Sequence, residues 1–188
     1  VSTLHYLVGE PGVGKSWIMD RLTERYHRVP WDTRPRMETL HETFAPPRTA
    51  ELRAIELGAR AGKHPDGFPG TDAMSMTAIV DVHRWLIGAE KPVVPILGEG
   101  ARLAVRRLIQ ACHEGDHQLR VYLIINQGRA EAQRAARGST QNDSWIKGAR
   151  TRALRFADHA VDAGASVNVY ASWEPMEIVK EMCRATGL

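Results

Sequence analysis

The sequence predicts an α/β domain: a parallel sheet with helices packed on both of its faces. Two observations carry this. Short apolar runs of strand character alternate with longer segments whose apolar residues recur every three to four positions. The first apolar run also ends in a glycine-rich turn, GEPGVGKS at 9–16, that leads straight into a helical pattern. At 188 residues, 43% hydrophobic and 25% charged, the chain fits one domain spanning 1–188, with no linker, internal repeat or low-complexity tract.

Taken in order, Thr3–Gly9 is a short buried strand, with Leu4, Tyr6, Leu7 and Val8 apolar. A helix is expected from about Gly14–Lys15, with Ile18, Leu22 and Tyr26 along one face. RVPWD at 28–32 is a second strand, which Pro30 would confine to a sheet edge. Residues 33–76 are the least regular: a loop with a short helical turn, a helix over Thr49–Ala61 on Leu52, Ile55 and Leu57, and a Gly/Pro-rich loop at 62–72. A loop region of this length inside a domain is usually functional or mobile. Beyond it come a helix at 79–87, a strand in 92–100, a helix at 101–112, a strand at 119–126, and basic helices at 129–138 and 145–159. A last strand at 166–171 and a helix at 174–185 complete the pattern.

Composition narrows the function classes. No apolar run approaches the ~18 residues of a membrane span, and the opening VSTLHYLVGE lacks the basic stretch of a secretory leader. Cys112 and Cys183 are the two cysteines and form no C-x-x-C pair, so free thiols in a reducing, cytoplasmic-type compartment are expected. Eight histidines show no metal-ligand spacing, and no GxSxG supports a nucleophilic hydrolase. Net charge is +3, but seven basic residues between Arg129 and Arg155 face only Glu131 and Asp143.

Gly9-Glu10-Pro11-Gly12-Val13-Gly14-Lys15-Ser16 matches G-x-x-x-x-G-K-[S/T] at every fixed position, after a strand and before a helix. Glycines let backbone N–H groups curl around an anion, and the helix N-terminus adds partial positive charge. A lysine there reaches the β- and γ-phosphates, and a serine hydroxyl ligates Mg²⁺. ATP and Mg²⁺ are therefore the expected cofactors. Glu99, ending the strand ILGEG, is placed to hold the Mg²⁺ shell or to accept a proton, unless it only caps the following helix. Asp32 is placed as a base for an acceptor hydroxyl if VPWD lies beside that strand, and is otherwise a turn residue. Arg134 and Arg137, three apart on a short helix, suit a clamp on a transferring phosphoryl group carried by a mobile lid over 127–150. A solvated basic helix would carry them equally well.

With these motifs the chain resembles the P-loop kinases of nucleosides, nucleotides and small hydroxyl acceptors. The resemblance implies a three-layer fold on a five-stranded parallel sheet in the order 2-3-1-4-5, with a lid after the fourth strand. It also implies a base at Asp32, lid arginines at Arg134 and Arg137, and an adenine pocket lined near Trp173. More narrowly, GTDAMSM (70–76), LGEGARLA (97–104) and ARGSTQNDSWIKGARTRA (136–153) look similar to bacteriophage kinases that phosphorylate 5-hydroxymethyluracil within DNA. On that resemblance Thr71 and Asp72 would meet a pyrimidine edge, unless Asp72 only caps the helix that follows, and Trp145 would stack on a base or pack in the fold. Arg34 and Arg102 would join Asp32 as substrate contacts, and the partner would be DNA containing a modified pyrimidine. A free nucleoside or nucleotide kinase, and a P-loop ATPase without a phosphorylated product, are the other two readings.

Overall fold

The computed structural model describes residues 1–31, 35–42, 51–58, 70–88, 92–136, 138 and 141–188. Seven strands form one sheet: β1 (Thr3–Gly9), β2 (Tyr26–Trp31), β3 (Met37–Glu42), β4 (Leu52–Leu57), β5 (Ile96–Glu99), β6 (Gln118–Ile124) and β7 (Ser166–Tyr170). Six helices accompany them: α1 (Lys15–Thr23), α2 (Ala78–Leu86), α3 (Arg106–Glu114), α4 (Gln127–Ala136), α5 (Asp143–Asp162) and α6 (Pro175–Thr186).

The spatial order is β2-β3-β4-β5-β1-β6-β7. From β4 to β7 every pairing is parallel, whereas β2–β3 and β3–β4 are antiparallel. The sheet is therefore mixed and seven-stranded, not the all-parallel five-stranded sheet expected. Its five parallel strands, counted along the chain, do run 2-3-1-4-5.

Two local readings are overturned. Residues 37–42 form β3 rather than loop and a helical turn, and Leu52–Leu57 is strand β4 rather than helix. The L-x-x-I-x-L spacing of β4 also suits a helix, and the strand alternation is masked by a glutamate facing inward. Ile55 and Leu57 lie on one side and Ala54 on the other, while Glu56 is 1% exposed. Its cross-strand neighbour Glu38 is equally buried. Arg28 on β2 reconciles the two, with Nη1 2.9 Å from Glu38 Oε2 and 2.7 Å from Glu56 Oε2, and its Nη2 donates to Thr23 Oγ1. Two buried carboxylates beside each other are tolerable only with such a cation between them.

β1 is buried on both sides, as a central parallel strand should be. Leu4, Tyr6 and Val8 enter a core with residues of α2, α3 and α5. Leu7 enters the opposite core with Ile18 and Leu22 of α1 and Ile178 and Met182 of α6. His5, 1% exposed, lies with Nδ1 3.0 Å from the Tyr122 hydroxyl. Burial first, and the nearby Arg120 charge second, push its imidazole down to about 4. Among the described residues no helix is long and apolar enough to cross a membrane.

Candidate functional site

β1 delivers the glycine-rich turn to the edge of the sheet where the parallel strands end. Gly12 and Gly14 adopt φ 93° and 96°, a region that strongly favours glycine. Space excludes larger residues as well: a β-carbon on Gly12 would lie 2.6 Å from the Ala130 carbonyl oxygen. Lys15 Nζ donates to the carbonyls of Gly9 and Glu10, each at 3.1 Å. The Val13 amide bonds back to Glu10 O at 3.4 Å, and α1 starts at Lys15. Glycines that only a bare backbone fits, a helix N-terminus and an inward lysine form a cradle that suits nucleotide phosphates with Mg²⁺.

Glu99 ends β5, the strand directly beside β1, level with Leu7. It is 3% exposed and its side chain packs against Gly70, where a β-carbon would come 2.8 Å from Glu99 Cγ. A short latch fixes this corner. Thr71 Oγ1 lies 2.6 Å from the Glu99 carbonyl oxygen and 3.0 Å from the Tyr6 hydroxyl; the Tyr6 hydroxyl is also 3.1 Å from Gly100 O. Asp72 Oδ1 accepts the amides of Ala101 and Arg102 at 2.9 and 3.0 Å.

This latch bears on two expectations. Thr71 is fully buried with its hydroxyl committed inside the fold, so it holds the Glu99 corner rather than facing a pyrimidine. Asp72 holds the same loop, and α3 begins at Arg106, five residues later than the expected start at Ala101. Arg102 turns toward Asp72 O and Met76.

From the other side, Arg134 on α4 donates from Nη1 to Pro11 O at 2.6 Å and lies 3.8 Å from Glu10 Oε2. Glu10 itself is 4% exposed. Trp173, after β7, covers the start of α1: a β-carbon on Gly14 would sit 2.2 Å from its Cη2. The Arg129 guanidinium lies 3.6 Å from the Trp173 ring centroid, and Trp17 meets that ring edge-on at 6.3 Å. Arg129 is the contact that the sequence reading missed; its signal was a cation at the start of a basic helix, indistinguishable from its neighbours. Trp145 lies apart on the first turn of α5, 46% exposed, so it is not a core residue.

Asp32, Arg34 and Arg137 lie outside the described residues. The strand expected to carry Asp32 beside Glu99 is nevertheless elsewhere: β2 is the antiparallel edge strand, and β4 is the neighbour of β5. The premise that placed Asp32 in the crevice is thereby removed.

Compared with known families, residues 1–185 match the family described as P-loop Nucleotide Kinase3. The chain belongs to that family. Its glycine-rich turn is accordingly a P-loop, and a nucleotide-binding, kinase-like function is what membership supports. Among the curated proteins none matches the chain. Lys15 and Ser16 close that P-loop, and Glu99 flanks it on the adjoining strand. Arg134 contacts the loop from the helix after β6, where the resemblance puts a lid.

Proposed function

We propose that the chain is an ATP-dependent kinase that transfers a phosphoryl group to a hydroxyl of a pyrimidine substrate. The favoured acceptor is the 5-hydroxymethyl group of 5-hydroxymethyluracil in DNA. The observation that carries the kinase reading is the pairing of a complete P-loop with a buried carboxylate, Glu99, at the end of the adjoining parallel strand. ATP with Mg²⁺ supplies the transferable phosphoryl group and the charge neutralisation it needs. Lys15, Ser16 and the amides of residues 12–16 hold the phosphates, and Glu99 supports the magnesium shell. Arg134 turns from Pro11 O toward the transferring group, where a guanidinium stabilises developing charge. A carboxylate takes the acceptor proton, and Glu99, buried at the end of the strand beside the P-loop, is the one whose position supports that role.

The DNA acceptor is supported by the resemblance of 70–76, 97–104 and 136–153 to DNA-base kinases, and by the exposed Trp145 amid basic residues. A free nucleotide as acceptor is the second reading, favoured by the description of the family itself. The test is transfer of labelled γ-phosphate with Mg²⁺ to two acceptors in parallel: duplex DNA with 5-hydroxymethyluracil against thymine DNA, and a panel of free nucleosides and monophosphates. Label confined to the modified DNA supports the first reading. Label confined to a free nucleotide replaces it with the second.

A further inference from the structure

Helices α3 and α5 pack side by side on one face of the sheet, and a furrow runs between them. A cavity of about 450 Å³ opens at the start of α3, lined by Arg106, Thr151, Arg152, Arg155, Phe156 and His159. A second, of about 400 Å³, shares Arg106 and His159 and continues to His113 and Asp162. The two make one channel with an apolar floor and cationic walls.

Its charge is uneven in a way that composition alone does not show. From Ala101 to Arg107 there are three arginines and no acid, and from Lys147 to Arg155 four cations and no acid. Acids return only toward the far end, at Asp158 and Asp162. Arg106, Arg152 and Arg155 are exposed. Among the described residues no carboxylate pairs with them. Like charges gathered along one groove focus a positive potential there, which attracts an anion from outside.

The layout suits a polymer. Arg152 and Arg155 sit one helical turn apart on α5, and Arg106 at the start of α3 lines the same cavity. Gly148 and His159 continue that face of α5 to either side, over about 16 Å. Phosphates of one DNA strand are ~3.4 Å apart along a duplex axis, so the three guanidiniums suit neighbouring phosphates. Guanidinium forks on successive turns match phosphate oxygens better than they match the isolated carboxylates of an acidic peptide. The furrow also begins at Ala104, on the loop that leads from Glu99 into α3.

We infer that the α3–α5 furrow binds the phosphodiester backbone of a nucleic-acid strand and leads it to the Glu99 edge of the phosphoryl-transfer site. The inference rests on the polymer acceptor proposed above, but its test does not require turnover. Binding of a fluorescently labelled 20-mer DNA, single-stranded and duplex, is followed by anisotropy from 50 to 200 mM salt. The proteins are wild type, R106A, R152A/R155A and K15A.

Wild type and K15A are expected to bind alike. R152A/R155A should bind ~10-fold or more weakly, and its log–log salt slope should fall by about 2 on duplex DNA. R106A should lose about half as much slope. Affinity for a fluorescent ATP analogue should be unchanged in all the furrow variants. Furrow variants that bind DNA as wild type does, with the same slope, overturn the inference. So does wild-type binding abolished by inorganic phosphate at constant ionic strength, which would reveal a single-anion site. Furrow-dependent binding without phosphorylated DNA would keep the furrow and sink the acceptor assignment, so the two failures are separable.

Discussion

The Trp173 ring lies across Gly14 so closely that a β-carbon there would come 2.2 Å from Cη2, and Gly14 itself sits at φ 96°. Steric room and backbone conformation therefore exclude a side chain independently. Gly14→Ala is expected to lower the melting temperature and to abolish binding of a fluorescent ATP analogue. Adding Trp173→Ala should recover part of the stability, since it removes the clash and leaves the left-handed backbone cost of ~1 kcal/mol. A single variant as stable as wild type would show that the ring is not fixed over the helix start.

Lys15→Ala is expected to reduce phosphotransfer by a factor of ~100 or more while leaving the fold intact, because Lys15, the first residue of α1, lies outside both cores. Arg134→Ala should reduce kcat more than it raises KM for ATP, the pattern of an interaction made chiefly in the transition state. A pure KM effect would make Arg134 a loop-supporting residue instead.

Asp72 accepts two backbone amides of the loop after β5. Asp72→Ala should destabilise the fold by ~1–2 kcal/mol in urea unfolding, as the loss of a capping carboxylate does. Activity should fall further than stability, since the same loop carries Glu99. Asp72→Asn, which keeps one acceptor oxygen, should recover most of both.

Arg28 holds Glu38 and Glu56, each 1% exposed. Arg28→Ala should cost up to ~3–5 kcal/mol, because it removes the cation that Glu38 and Glu56 share. Combining it with Glu38→Gln and Glu56→Gln should restore part of that loss in denaturant titrations. An additive triple variant, worse than the single one, would mean that the carboxylates are held by something other than Arg28.

His5 gives the fold a pH dependence. Its imidazole is lowered to about 4 by burial, with Arg120 adding to the shift, so the fold favours the neutral ring. The associated stability is complete above an unfolded value of about 6.5 and is lost as pH falls from there toward 4. Its size is on the order of 3 kcal/mol. The urea midpoint of wild type minus that of His5→Gln should shrink across this window and stay constant above pH 7. A difference that is flat from pH 7 to 4 would show that His5 titrates alike in the folded and unfolded states.

The P-loop and the parallel core were legible because each rests on local signals: a complete motif in a strand–helix frame, and apolar runs such as LRVYLIIN. β3 and β4 were not, because their inward-facing Glu38 and Glu56 look like surface residues until Arg28, 10 and 28 positions away, is brought beside them. Ala101 and Arg102, expected at the start of a helix, instead donate their amides to Asp72, about 30 positions earlier in the chain. The Arg129–Trp173 contact joins the ends of two different strands. Local pattern marks what each segment prefers, while such long-range polar contacts decide where the preference is overruled.

The carbonyls that Lys15 and Arg134 occupy, those of Gly9, Glu10 and Pro11, bear on the thermodynamics of nucleotide capture. A loop already braced by its own cations has little order left to acquire, so association should proceed as a trade of partners rather than as a folding event. Calorimetry would then record a modest enthalpy with a small entropic penalty, and an affinity set by how much better phosphate oxygens serve those cations than main-chain oxygens do. A release route is implied as well: once the phosphates are spent, the same carbonyls are at hand to take the cations back.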